Sequence, residues 1–181
     1  MLEAWTWRPC QLPFGRWRAC EWVTVLWHRF PLTSRPTEGR AAQLAAFSTD
    51  VAVRWSDMDV YGHVNNARVV TLLEEARTEL LFGEGARRGA ESLAGGVVVV
   101  ELVVRYRQPL VYSTAPVRVR LWVSELRAAT FSLDYTVTAA DGDAVTARTQ
   151  LAPYDTEAQR PRRLTPGERE FLAAFRPTQP M

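Results

Sequence analysis

In the middle of the chain Val51, Val53 and Trp55 alternate with Ala52, Arg54 and Ser56, and this period of two predicts a strand. The period then changes. From Asn66 to about Phe82, Val70, Leu73, Arg77 and Leu80 fall on one side of a helix, with Val69, Leu72 and Ala76 beside them. That apolar stripe is wide enough to be wrapped by other structure. Gly83 to Gly95, rich in glycine and arginine, reads as a surface loop, and Gly96 to Gln108 is a strand built largely of valine. Its even positions, Val98, Val100, Leu102, Val104 and Tyr106, are apolar and predict a core-facing row, while its odd positions are mixed.

Pro109 ends that run, and Val117, Val119, Leu121 and Val123 alternate with Arg118, Arg120 and Trp122 in the next strand. Two more strands, Thr130 to Thr138 and Ala144 to Leu151, flank an Asp141-Gly142 pair suited to a hairpin turn. Thr165-Pro166-Gly167-Glu168 combines a capping box with proline at the first helical position, predicting a short helix through Phe175. Consecutive strands with little between them imply an antiparallel sheet carrying one long helix, an α+β arrangement.

With 181 residues and 47% apolar content, the chain has the material for one domain with tails. The formal charge of +2 is unevenly spread. Residues 1–48 hold six arginines against three glutamates, +3, which leaves −1 for the remainder. A nearly neutral domain gives no support to nucleic-acid binding. Lysine is absent, which excludes Schiff-base and lysine-base mechanisms. Both cysteines, Cys10 and Cys20, precede the domain, so it has no thiol nucleophile, in keeping with a reducing, cytoplasmic setting.

Five of seven tryptophans lie in residues 1–46 without periodicity. This segment reads as a disordered extension or as sequence upstream of a misplaced start, with a transit peptide as a third reading. Its longest apolar run, Trp22 to Trp27, is too short for a secretory core or a membrane span. The domain is expected over 47–155, followed by a C-terminal tail, 156–181, that carries the short helix.

The polar residues cluster at the junction before the long helix, in Arg54-Trp-Ser-Asp-Met-Asp-Val-Tyr-Gly-His-Val-Asn-Asn-Ala-Arg68. Gly62 permits a kink, and Asn65 or Asn66 can cap the helix amides. Asp59 before a helix N-terminus can work with the free amides there, which would hold an oxygen as it gains negative charge. Asn66 is the expected amide donor. The bland alternative is that Asp57 and Asp59 cap loop amides. His63 could move a proton or fix Asp59 by a hydrogen bond, or be a structural loop residue. Glu74 can pair with Arg77 on the helix surface, and Glu101, the lone acid of the valine strand, needs solvent, Arg105 or a pocket. There is no Gly-x-Ser-x-Gly elbow, phosphate loop or histidine cluster able to hold a metal.

Asp59 to Arg77, with Asp-Val-Tyr-x-His-Val-Asn-Asn-Ala-Arg at its head, resembles the signature of the hotdog-fold acyl-thioesterases, and the element order matches as far as about Tyr154. The resemblance implies a five-stranded antiparallel sheet wrapped around one central helix. It also implies hydrolysis of an acyl-CoA, most readily a fatty acyl-CoA, by Asp59, either attacking the carbonyl or polarising a water, with no cofactor. Arg127 would meet CoA phosphate and Thr130 the pantetheine arm, with Tyr61, Asn65 and Glu101 as further substrate contacts. Plant acyl-carrier-protein thioesterases have asparagine where this chain has Tyr61, which favours the CoA branch. A homodimer or homotetramer is implied, with the valine strand pairing between subunits and the site shared. Rival readings are a non-catalytic acyl-CoA binding module and an acyl-carrier-protein thioesterase; hydratases of the fold use acid and histidine spacings not found here.

Overall fold

A computed structural model describes residues 46–140 and 142–177. The expectations for residues 1–45, including the three readings of the N-terminal extension, lie outside the described residues. The chain runs β1 (Phe47–Val51), a 3-10 turn (Trp55–Asp57), α1 (Asn66–Thr78), β2 (Val97–Tyr106), β3 (Val117–Leu126), β4 (Phe131–Ala139), β5 (Gly142–Asp155), β6 (Arg160–Pro161) and α2 (Pro166–Ala173). The sheet order is β1-β3-β4-β5-β2, all antiparallel, and the two-residue β6 adds to the end of β5. Val119, Leu121 and Val123 on β3, Phe131, Leu133, Tyr135 and Val137 on β4, and Val145, Ala147, Thr149 and Leu151 on β5 form the inner face. Against it α1 buries Val69, Leu72, Leu73 and Ala76. This is the hotdog arrangement that the motif implies.

Four expectations change. The alternation of Val51, Val53 and Trp55 does not continue as strand, because the Arg54 N–H turns back to the Asp57 carboxylate at 2.8 Å and closes a 3-10 turn. The long helix does not give way to a loop at Gly83: it passes through a π-helical turn, Glu79–Glu84, and a further turn, Gly85–Arg87. Leu80, Leu81, Ala90 and Leu93 are buried there, so apolar anchoring outweighs the glycine content. Residues of the supposed C-terminal tail also enter the core. Phe171, Leu172 and Phe175 share one helix side, and Phe171 and Phe47 pack edge-to-face on Phe175, with ring centroids 5.2 and 6.2 Å away.

The fourth change concerns β2. Opposite residues of an antiparallel pair share a face, and the register shifts between Val99 and Glu101, a β-bulge at Val100. The inner row is therefore Val97, Val99, Leu102, Val104 and Tyr106, not the even positions throughout. Even so, this row is poorly covered: α1 packs over β1 and β3, and Val99 and Tyr106 remain about half exposed (49% and 50%). Val98 and Val100 are exposed as well, and β2 is a sheet edge. An apolar edge strand of this kind is a template for pairing with another chain. At its start Gly96 lies so close to the Tyr154 carbonyl that any side chain would collide with it.

The capping box of α2 forms as its sequence dictates, with the Glu168 N–H on the Thr165 hydroxyl and the Thr165 N–H on the Glu168 carboxylate. Glu168 does more than cap. It is fully buried and accepts from both terminal nitrogens of Arg162 (2.7 and 2.9 Å) and from the Ser92 hydroxyl (2.7 Å), tying α2 to the turn before β2. Burial pushes its carboxyl up, but Arg162, the Thr165 amide and Ser92 outweigh that and hold it below its ordinary value. Glu168→Ala, which strands the Arg162 charge, is expected to cost about 3 kcal/mol in urea unfolding near neutral pH. Because the folded value is depressed, this contribution is complete above the ordinary glutamate range and fades as pH falls through the folded value. The gap between wild type and variant should therefore narrow on acidification; a gap independent of pH would contradict the assignment.

Candidate active site

Residues 57–65 form a narrow loop in which the backbone folds back on itself. The Asn65 N–H donates to the Asp57 carbonyl at 2.8 Å, Met58 bridges Val64, and the Asp59 N–H donates to the His63 carbonyl at 2.8 Å. Gly62 turns the tip, with φ of +77°. The Val64 N–H reaches the Leu110 carbonyl at 2.7 Å, anchoring the loop to the segment after β2.

Within this loop the two aspartates divide their work. Asp57 is buried, accepting from the Arg54 amide and lying 3.8 Å from Arg68, so it is structural. Asp59 is half-buried, and its Oδ1 accepts from the amides of Tyr61 (2.8 Å) and His63 (3.2 Å). Both bonds fall on one oxygen, so the other is available to a water or a carbonyl carbon. The bond from His63 to Asp59 is made by its backbone N–H, not its imidazole, and the His63 side chain is exposed.

Asn65 is the helix cap, its Oδ1 accepting from the Ala67 N–H at 2.9 Å, while its carbonyl takes the amides of Arg68 and Val69. The Asn66 Oδ1 also faces the Ala67 amide, at 2.9 Å. Among the described residues this leaves the Asn66 N–H as the first-turn amide with no acceptor, a free donor at the positive end of the helix. Tyr106, at the end of β2, donates its hydroxyl to the Asn66 carbonyl at 3.2 Å. Burial raises the Tyr106 phenol above its ordinary value, so it stays a neutral donor. The sequence reading missed this contact, because nothing local links positions 66 and 106.

The structure separates the other candidates. Tyr61 is exposed at the loop tip beside Asp59. Glu74 pairs with Arg77 at 3.2 Å, as its spacing predicts. Glu101 opposes Gln150 on the outer face of the sheet, away from α1, and is exposed to solvent. Arg127 and Thr130 close the β3–β4 turn, the Arg127 N–H donating to the Thr130 carbonyl at 2.8 Å, while the Arg127 guanidinium bonds Glu125. Val51, just before the loop, pairs with Val117 at the start of β3, and Arg127 follows that strand's end. β3, ten residues or roughly 30 Å of strand, thus runs between the end where Val51 leads into the loop and the end that Arg127 follows. Among the described residues no group of three or more His, Cys, Asp or Glu could hold a metal ion.

Comparison with known proteins agrees with this fold. Over 65 residues the chain is 40% identical to the long-chain acyl-CoA thioesterase FadM of Escherichia coli; the match takes in 36% of this chain and about half, 49%, of that protein. A thioesterase of Thermus thermophilus, solved with coenzyme A and zinc, is 26% identical and superposes with a TM-score of 0.62 over 73% of this chain and 94% of its own. SAV2348 of Staphylococcus aureus, solved with CoA, shares the fold at 19% identity, with a TM-score of 0.62 over 77% of this chain and 87% of its own. The thioesterase-like superfamily model matches residues 53–175, from just before the loop to the end of the core. The chain belongs to the thioesterase-like superfamily.

Proposed function

We propose that the protein hydrolyses acyl-CoA thioesters, fatty acyl-CoA foremost, to the free acid and CoA. The observation that carries this reading is the pairing of a carboxylate held by two loop amides with a free amide at the start of α1, on one short loop. The thioester oxygen would sit on the Asn66 N–H, which stabilises the negative charge that grows on it as the carbonyl carbon becomes tetrahedral. Asp59 would take a proton from a water as its oxygen bonds to that carbon. The C–S bond then breaks, and the proton goes to the departing sulfur. Asp59 attacking the carbon directly, with water splitting the resulting anhydride, gives the same products.

The acyl chain has a natural path. From the Tyr106 and Asn66 junction the poorly covered inner row of β2, Val104, Leu102 and Val99, would offer the acyl chain an apolar wall. Pairing of β2 with β2 of a second copy about a two-fold axis would cover it. That operation also explains the separated candidates. An antiparallel pair sets the Tyr106 end of one β2 beside the Val97 end of the other. The Val97 end belongs to the rim that carries Arg127 and Thr130. We therefore infer a homodimer, or a tetramer of such dimers, in which Arg127 and Thr130 of the partner subunit meet the CoA arm of a thioester held at Asp59, with Tyr61 and Asn65 beside it. Glu101, on the outer face, would line the subunit seam. No helix among the described residues is long and apolar enough to cross a membrane, and this reading sets the enzyme in the cytoplasm, where acyl-CoA occurs.

Thiol release from acyl-CoAs of graded chain length tests the function. Asp59→Asn can still accept the two loop amides, so its melting temperature should match wild type while kcat falls about 10²- to 10⁴-fold. Asp57→Asn should do the reverse, losing stability more than turnover. An Asp59→Asn enzyme with full activity would remove the mechanism, and binding of acyl-CoA without turnover on any thioester would make the protein a binding module. For the assembly, light scattering should give a dimer or larger. The double variant V98R/V100R should be monomeric and inactive with its secondary structure intact; an active monomer would refute the shared site.

A further inference from the structure

α2 and the residues leading into it lie against the β3–β4 turn, where the motif resemblance implies a phosphate contact at Arg127. The Leu164 N–H donates to the Ala128 carbonyl at 3.0 Å, and the Nη1 of Arg169 donates to the Arg127 carbonyl at 2.7 Å. Arg169 is exposed, and so is Arg163, one residue before Leu164. The frame that carries them is fixed: Leu164, Phe171 and Leu172 are buried, and Arg162 is locked onto Glu168.

The three exposed arginines at this rim are not equivalent. Arg127 is already engaged, its Nε and Nη2 lying 2.8 and 2.6 Å from one oxygen of Glu125. That carboxylate offsets the charge an incoming anion would need. Arg163 and Arg169 have no acidic partner among the described residues, and the buried Glu168 is taken by Arg162. The Arg127 carbonyl holds one corner of the Arg169 guanidinium, while its Nε and Nη2 have no acceptor among the described residues. An arginine steadied in this way, with one edge of its fork open, is arranged for two-point contact with a phosphate. The surrounding charge has the same sign. Residues 160–177 hold five arginines against two glutamates, +3, in a chain whose residues beyond 48 carry −1 together.

We propose that Arg163 and Arg169 of the C-terminal segment are the cations that hold the phosphate groups of the CoA nucleotide at the β3–β4 turn, and that they set a preference for thioesters of CoA over those of a bare pantetheine arm. This rests on the thioesterase reading and deepens it by naming what recognises the carrier. CoA bears a diphosphate and a 3′-phosphate, whereas pantetheine bears none and the arm of a carrier protein only a single phosphodiester. The rim therefore gains little from either alternative. In the proposed two-fold assembly the acyl end of a thioester is read by one copy and its nucleotide end by the C-terminal segment of the other. Glu125 acts against this preference by occupying Arg127.

The test measures kcat/KM for one acyl group carried on CoA and on pantetheine, at low and at raised salt. Wild type should prefer the CoA thioester by about tenfold or more, and salt should narrow the difference. Arg163→Ala and Arg169→Gln should each lower the ratio of the two values by about three- to tenfold. Glu125→Gln, which releases the charge of Arg127, should raise it. Damage to the fold alone slows both thioesters alike and leaves the ratio where it was. A wild type that treats the two carriers equally, or a ratio that the arginine variants leave unmoved or that Glu125→Gln fails to raise, would overturn the proposal. If wild type splits no thioester, the thioesterase reading has failed, and the rim is judged by calorimetric binding of CoA and of pantetheine. Tighter binding of CoA, with the difference reduced in both arginine variants, upholds the site; equal binding refutes it.

Discussion

The return of the chain on itself between Asp57 and Asn65 is the constraint on which the rest depends. One backbone bond from the Asn65 amide to the Asp57 carbonyl, at 2.8 Å, sets where α1 begins and holds the Asp59 loop beside it. The two ends of that bond are themselves secured, Asp57 by the Arg54 amide and Asn65 by the Ala67 amide. A carboxylate and a free helix amide are thereby held at the two ends of one short loop, the pair on which the proposed mechanism draws. Preorganisation of this kind removes the cost of assembling the charges during reaction.

The same constraint explains the uneven burial of the molecule. α1 leaves its cap towards β1 and β3 and buries Leu72, Leu73 and Ala76 there, so it cannot also cover the far edge of the sheet. β2 is left with an apolar inner row and an unpaired edge. In a monomer this is surface that water disfavours; in the proposed dimer it would be both wall and seam. The bulge at Val100 matters here because it carries the apolar row from odd to even positions, keeping one continuous inner stripe along a strand whose sequence runs Val-Val-Val-Val.

Much of the fold was legible in the sequence because its signals are local. The cap at Asn65, the capping box at Thr165 and Glu168, and the alternation of Val117 to Val123 each involve residues within a turn or a strand of one another. So does the pairing of Glu74 with Arg77. The polar motif before α1 was likewise visible as residues out of place between buried elements, and its resemblance to the thioesterase signature already singled out Asp59 over Asp57.

What the tertiary structure alone decided is everything set by pairing between distant residues. It buried Asp57 and left Asp59 half-open, it drew Glu168 into a bond with Ser92, and it brought Tyr106 onto the Asn66 carbonyl. It also sent Arg127 to the opposite rim from Asp59 and turned Glu101 outward. Local patterning settles which residues can be inside, by period and propensity. Which polar groups meet there depends on strand register, and a single bulge or a shift of one residue exchanges the two faces of a strand.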